Sequence, residues 1–565
     1  MRRLRLTLLL AIILAGVGWG GYLGWQYLAG AGVAEVPELA DGHQEVAWIA
    51  PATSGDSWER LVAALKNLEK DWPTVHADLP RLRVSFQGAF LEQTASVPQI
   101  ALSFEGTDKA KLWIRWYKLG GEGHRQQWLE KLKNRGRPPL AIMGGDTSDR
   151  AISMAKRLES MKSEWSGAPP LLLITSATAY RFYPGDNQST ALIQDEWPKL
   201  MGVYKDRSFR FCFNTKRIAE TVMDFLEENP QVWPEYQGDA VTLATALAQG
   251  NALGSLAVLH AAGHFRPTYL YTLAWRDDRY SQDLADHFWK EFVNLFYLGD
   301  SAAAFPHNTT NNVQYSVGDF FQPNPSELQA IGIYLGLMRP YANHHHLLAM
   351  PTGVHQARRF LRALCQQAPA EVHNVVVVSG DSINFNNVYR DRDLAWNVLD
   401  VPVPLVFFSH RNPVDESAGF REDQAQADDF STTGTQDLLL LRDVIEALLL
   451  AARTPSGWST DSQAVRDRMH DLRWHNNRVD DAREHPAAEK SPPLFDAEGD
   501  RQPRTGEHVV WLQPSREFGR ILPKARLSIW RIDPQIADEL TWKQAREPLV
   551  VEYNRGNHLE AGDVR

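Results

Sequence analysis

Cysteine is almost missing: Cys212 and Cys365 are the only two in 565 residues. Two thiols exclude a disulfide framework, and both read as small buried residues whose pairing the sequence leaves open. Excess positive charge is missing too. The formal net charge of -10 argues against nucleic acid, or an anionic membrane surface, as the main partner. Beyond residue 30 there is no apolar run long enough to span a bilayer, which excludes a channel or permease. Internal repeats are not evident either. What is present is ordinary globular composition, 44% hydrophobic and 23% charged, over a length that calls for more than one domain.

The first 30 residues stand apart. "MRRLR" carries three arginines, and an uncharged run follows from Leu6 to Gly30. That run exceeds the ~7–15 residues of a signal-peptide core and suits a ~30 Å hydrocarbon layer. Arginines on the leading side keep that end in the cytoplasm, and Trp25 and Tyr27 suit the far interface. We read residues 1–30 as a transmembrane anchor and 31–45 as a linker, with the bulk of the chain periplasmic or extracellular. Cleavage after "LAGAGVA" is the alternative.

From Glu45 onward, strand-like and helical patterns alternate, as βαβ units with a parallel sheet require. "EVAWIAPATSG", "PPLAIMGGDTSD" and "PPLLLITSAT" each run from an apolar strand into a loop of Ser, Thr or Gly. In open α/β sheets, ligands bind at such carboxyl ends. A second alternating series begins at "TYLYTLAWRDDRY" and ends on "VHNVVVVSGDS" and "VPLVFFSHRNP". Two series in succession predict two Rossmann-like α/β lobes. The helix "TQDLLLLRDVIEALLLAA" has few polar positions and is expected to be buried over much of its surface. The charged stretch 454–493 reads as a surface insertion.

In this order the stretches resemble the type I periplasmic binding proteins, especially the branched-chain amino acid and amide receptors of ABC transporters. The likeness rests on "PLAIMGGDTSDRA", "LLLITSATAYRF", "YKDRSFRFCFNT", "LAWRDDRYSQDLADHF" and the late "PLFDAEGDRQPRTGEHVVWL". It implies two lobes joined by a hinge, with 46–215 as lobe one and 216–400 as lobe two. Residues 401–480 would return to lobe one, and 481–565 would carry a hairpin back to lobe two. It also implies binding of a small amino acid-like ligand, an ABC permease or membrane sensor as partner, and no catalytic step. The family commonly has Tyr-Gly where this chain has Tyr280-Ser281.

A zwitterion needs donors for its carboxylate and a carboxylate for its ammonium. By position in the family pattern, Ser148, Ser176, Thr178 and the backbone of Ala177 supply the donors, with Thr53 and Ser54 after the first strand. In lobe two, Asp278 and Asp381 are the candidate ammonium partners, Asp381 preferred, with Tyr280 and Ser382 beside them. The competing expectation is that Asp278 and Asp381 cap helices.

Two other functions compete. "SGDS" resembles the first block of GDS-type hydrolases, making Ser382 a nucleophile. Gly-Asp-Ser also occurs at 55–57 and 299–301, however, and "DAREHP" spaces Asp481 and His485 wrongly for the partner motif. The other alternative is an envelope scaffold of the same fold that binds no small molecule. No cofactor and no metal are expected; "HHH" at 344–346 lies on a strand, where adjacent residues cannot all face one ion.

Overall fold

The computed structural model describes residues 34–91, 96–107, 109–182, 197–233, 268–274, 278–296, 325–338, 345–353, 374–382, 403–413, 435–503, 505–517, 520–532, 542–545 and 547–552, with single residues between 357 and 364. Residues 1–30, read as an anchor, lie outside them, as do Cys365 and His344. Among the described residues, no helix is long and apolar enough to cross a membrane.

Two sheets organise the chain. The first has the order β2-β3-β4-β1-β5-β6-β7. It is formed by Gln44–Pro51 (β1), Leu82–Ser85 (β2), Gln99–Phe104 (β3), Leu112–Leu119 (β4), Ala141–Gly144 (β5), Leu171–Ile174 (β6) and Ser208–Arg210 (β7). Strands β4, β1, β5, β6 and β7 run parallel, whereas β2 and β3 pair antiparallel at the edge. The sheet is therefore mixed rather than wholly parallel. Helices cover both faces, so β1 reads as a continuous apolar run. Val46, Trp48 and Ala50 pack on one side with Gly55–Val75 (α1), and Ala47 and Ile49 on the other with Glu122–Asn134 (α2) and Ser148–Ser160 (α3).

The second sheet is built from Thr268–Thr272 (β8), His345–Ala349 (β9), Val375–Ser379 (β10) and Leu405–Ser409 (β11), all parallel. Its antiparallel part pairs β11 with a long hairpin. One face packs on Thr215–Glu228 (α4) and Arg279–Phe296 (α5), the other on Pro325–Met338 (α6). His345 stacks on Trp233 at 4.3 Å, while His346 meets Tyr269 and Tyr271, so the two histidines serve opposite faces.

The chain recrosses later than expected. Leu405–Ser409 lies in the second sheet, so the return to the first lobe follows β11 rather than starting at 401. Thr435–Ala452 (α7) then packs on α1 through Val444, Ile445 and Leu448. The stretch read as a surface insertion proves to close the first core. It folds as a hairpin of Arg453–Thr454 (β12) and Gly457–Trp458 (β13), the helix Ser462–Asp471 (α8), and a hairpin of Leu472–His475 (β14) and Arg478–Asp481 (β15). Trp458, Val465, Met469, Leu472, Trp474 and Val479 are all buried in that core. Each such side chain adds about 1.5–3 kcal/mol, enough to override the surrounding charge. Leu494 and Phe495 belong to the same core, so the last crossing comes between them and the hairpin of His508–Glu517 (β16) and Arg520–Ile532 (β17). Trp542–Gln544 (β18) and Leu549–Glu552 (β19) pair with β17.

Buried arginines hold the last crossing. Arg501 stacks on Phe213 and Trp474 at 4.9 and 4.7 Å and pairs with Asp443 at 3.2 Å. Arg411 reaches the same Asp443 at 3.5 Å, and Arg210 pairs with Asp500 at 2.7 Å.

Candidate ligand site at the strand ends

Strands β1, β5 and β6 all end beside the start of α1, and a cavity of about 230 Å³ opens there. Its wall holds the apolar Trp48, Leu440 and Leu441, the hydroxyls of Ser54, Ser57, Thr175 and Ser176, and the charged Arg60, Asp146 and Asp437. The volume is below the ~300–1,000 Å³ that drug-sized ligands occupy, so the space suits a small molecule. Gly145 makes room at the β5 end: its φ is +76°, and a Cβ there would stand 2.6 Å from Ala151 Cβ.

Both signs of charge meet in this wall. Arg60 Nη1 lies 3.3 Å from Asp437 Oδ2. Enclosure by protein raises the Asp437 carboxyl above the usual range; Arg60 and His410 pull it back, and Asp381 pushes it further up. Its side chain nevertheless keeps 41% of its surface open, so it sits deep in the protein but remains wetted through the cavity. Solvent access therefore screens that shift.

Close enough to Asp437 to act on its charge, Asp381 and His410 of the second lobe belong to a group that is satisfied within itself. Tyr280 donates its hydroxyl to Asp381 Oδ1 at 2.9 Å, and burial keeps that phenol protonated by raising its pKa well above normal. His410 Nε2 lies 3.0 Å from Asp381 Oδ2, while its Nδ1 accepts the Phe213 N–H at 3.1 Å. That second contact fixes the tautomer, with the proton on Nε2 and directed at Asp381. Gly380 leaves room beside them: a Cβ there would press on the Tyr280 hydroxyl and on Leu284 Cδ2, and one of them would have to shift.

The arrangement bears on Ser382. Its hydroxyl donates to the Thr352 carbonyl, and both His410 nitrogens are engaged elsewhere. Among the described residues, His410 is therefore not placed to take the serine proton.

The expected site residues divide into groups. Ser54 and Ser176 line the cavity, and the Ser176 hydroxyl donates to the Asp146 carbonyl at 3.3 Å. Thr53 is exposed outside the cavity lining. Ser148, Ala177 and Thr178 are buried, Thr178 to 2% exposure. Ser148 Oγ accepts the Ala179 N–H, and the Thr178 carbonyl takes the Thr215 N–H and Arg210 Nη1. These three shape the turn behind the cavity rather than its surface. Asp278 caps α5: its Oδ1 accepts the Tyr280 N–H at 3.2 Å, and burial pushes its pKa to about 6.

Sequence reading passed over Arg60, Asp146 and Asp437, and also Asp283. Ser57 and Arg60 stand three apart on one face of α1, and Asp437 is a lone acid opening a very apolar helix. Both were visible signals. Asp283 is buried on α5 and accepts the Tyr180 N–H at 2.6 Å, the Arg181 N–H at 3.3 Å and the Thr215 hydroxyl. It ties the second lobe to the loop after β6. Burial pushes its pKa to about 6 despite those donors.

No family model and no curated protein matches the sequence. Among solved structures, the chain is similar to an ABC transporter substrate-binding protein from Desulfitobacterium hafniense, at 13% identity over 85% of this chain and 99% of that one, with a TM-score of 0.45. It is also similar to a leucine-binding protein, LivK, from Thermotoga maritima, at 13% identity over 85% and 97% of the two chains and a TM-score of 0.43. A third is the leucine-, isoleucine-, valine-, threonine- and alanine-binding protein of Brucella ovis, at 10% identity over 90% and 94% and a TM-score of 0.45.

Proposed function

We propose that this chain is an extracytoplasmic solute-binding protein for an amino acid or similar small polar ligand. It is held at the membrane by residues 1–30 and read by an ABC permease or a membrane sensor. The observation that carries the reading is the cavity wall, where Arg60, Asp437, four hydroxyls and an apolar floor surround about 230 Å³. A zwitterion with an apolar side chain offers the complement of each. Its carboxylate replaces Asp437 as the partner of Arg60, and its ammonium replaces Arg60 as the partner of Asp437. Closure of the second lobe then brings Asp381 and Tyr280 toward the ligand and removes water from the pair.

The test is a thermal-shift and calorimetric screen of amino acids, amides and simple carboxylic acids. A ligand present at 100 times its Kd stabilises the fold by about 2.7 kcal/mol, a shift large enough to see. The expected hit is a zwitterion whose binding is lost in Arg60→Ala. Absence of any shift at millimolar concentrations would sink the proposal in favour of a scaffold. Membrane fractionation before and after deletion of residues 1–30 tests the anchor, which is expected to be needed for retention.

A further inference from the structure

A second cluster of ligating side chains lies apart from the cavity. His76 is at the carboxyl end of α1, Asp480 lies in β15, and His485 follows in the next turn. One nitrogen or oxygen from each lies within 4.8 Å of the others. None of the three lines the cavity.

His76 is the informative member. The residue is fully buried, and its Nε2 lies 2.8 Å from Glu446 Oε1, a carboxylate just 1% exposed. The other ring nitrogen, Nδ1, is buried without a hydrogen-bond partner. A sealed imidazole nitrogen with nothing to bond is costly unless something occupies the space before it. Asp480 and His485 stand on that cluster, joined to each other by a 2.5 Å contact between His485 Nδ1 and Asp480 Oδ1. The His76 and His485 rings lie nearly parallel, 6.1 Å apart.

We propose that His76, Asp480 and His485 bind a divalent transition-metal ion, zinc being the best match. Two imidazole nitrogens and one carboxylate oxygen form a ligand set that zinc takes readily, and a water would complete four-coordination; binding would release the proton shared by His485 Nδ1 and Asp480 to solvent and open that contact. The surroundings have the form of an outer shell. Glu446 accepts the Nε2 proton of His76, which directs Nδ1 to the metal, and Asp78 lies 3.7 Å from His485 Nε2 in the corresponding position. Both Glu446 and Asp480 are about 1% exposed; Arg478 Nη2 lies 3.8 Å from Asp480 Oδ2, and a dication would balance the buried negative charge that remains. His485 is 19% exposed on the side chain, so the ion has a path from solvent. The site joins α1 to the β14–β15 hairpin across the first core, and its role is a clasp for the segment 454–493. The sequence gives no sign of this site, since His76 stands about 400 positions from "DAREHP".

The test uses the purified full chain without a polyhistidine tag. After chelation and dialysis against micromolar Zn²⁺, elemental analysis is expected to find one zinc per chain. Co²⁺ in its place is expected to give the visible bands of a four-coordinate nitrogen–oxygen site. Zn²⁺ is also expected to raise the melting temperature, and His485→Ala, Asp480→Asn and their combination to weaken Zn²⁺ binding by at least ~tenfold. The partly exposed His475→Ala serves as the control for adventitious surface binding and is expected to bind as the wild type does. Sub-stoichiometric zinc in the wild type overturns the proposal, as does unchanged binding in the double variant. Should the variants fail to fold, as judged by circular dichroism, the wild-type cobalt spectrum decides: a six-coordinate, water-like spectrum overturns the proposal.

Discussion

The cavity wall of the first lobe and the second-lobe group near Asp437 are built on opposite plans. In the first lobe, Arg60 and Asp437 share a single partly wetted contact, and hydroxyls line an open cavity. In the second, Asp381 already has Tyr280 on one oxygen and His410 on the other, and His410 is itself anchored by the Phe213 N–H. On the proposed reading, one wall holds an ion pair that a ligand replaces. The other holds a carboxylate whose orientation is set before any ligand arrives. A binding surface gains affinity from groups whose existing partners are cheap to exchange, and precision from groups that cannot move. We read the first wall as the source of affinity and the second as the source of fit.

The largest expected effect tests that division directly. Asp437→Asn is expected to cost a zwitterionic ligand about 3–5 kcal/mol once the lobes enclose it, or two to four decades in Kd. Asp381→Asn, by contrast, is expected to cost at most about tenfold. Calorimetric titration of both variants with the best ligand from the screen measures the two losses. A larger loss at Asp381 would reverse the roles of the walls.

The tie between the walls should respond to pH. Asp283 has a folded pKa of about 6, above an unfolded value near 3.9. Its contribution is therefore fully present below about pH 3.9 and is lost as pH rises through about 6. The difference of about two units corresponds to ~3 kcal/mol at most. Compared with Asp283→Asn, the wild type is expected to gain stability as pH falls from about 7.5 to about 4.5. Parallel urea-unfolding profiles for the two proteins across that range would remove Asp283 from the account.

A smaller effect sharpens the picture of the second wall. Tyr280→Phe removes one donor from Asp381, and hydrogen bonds to charged groups are worth about 1.5–3 kcal/mol. The loss is expected in the urea midpoint of the apo protein, with ligand affinity changing less. The smallest effect concerns the turn behind the first wall. Thr178→Val is expected to change affinity by less than about 0.5 kcal/mol, since that side chain is sealed from the cavity. A larger change in titration would show that the turn opens when ligand binds.

Much of the frame was legible. The strands "VAWIA", "AIMG", "LLLI", "VVVV" and "LVFF" are apolar runs of the length that doubly covered parallel strands require, and each lies in a sheet. The edge strand β2 went unread because "LRVS" is short and half polar, whereas β3, "QIALSF", is a mostly apolar run that was a signal missed. The 454–493 segment misled for a related reason. Its arginines and aspartates hide core residues placed at irregular spacing across two hairpins and a short helix. At the site, position after a strand identified Ser54 and Ser176 as residues near the cavity. The same rule grouped Thr178 with them, because a sequence shows which loop a hydroxyl is on but not which way the loop turns.

By itself, the sequence determined the alternation of strands and helices, the two lobes, and the small residues at the strand ends. Those features follow from hydrophobic period and residue size, which act over a few neighbours. Only the tertiary structure decided the pairings. Arg60 and Asp437 lie 377 positions apart, Tyr280 and Asp381 101, and His76 and Glu446 370. Charge and hydrogen bonding act over a few ångströms of space. Where the backbone crosses between two sheets, distance along the chain carries no information about that spacing.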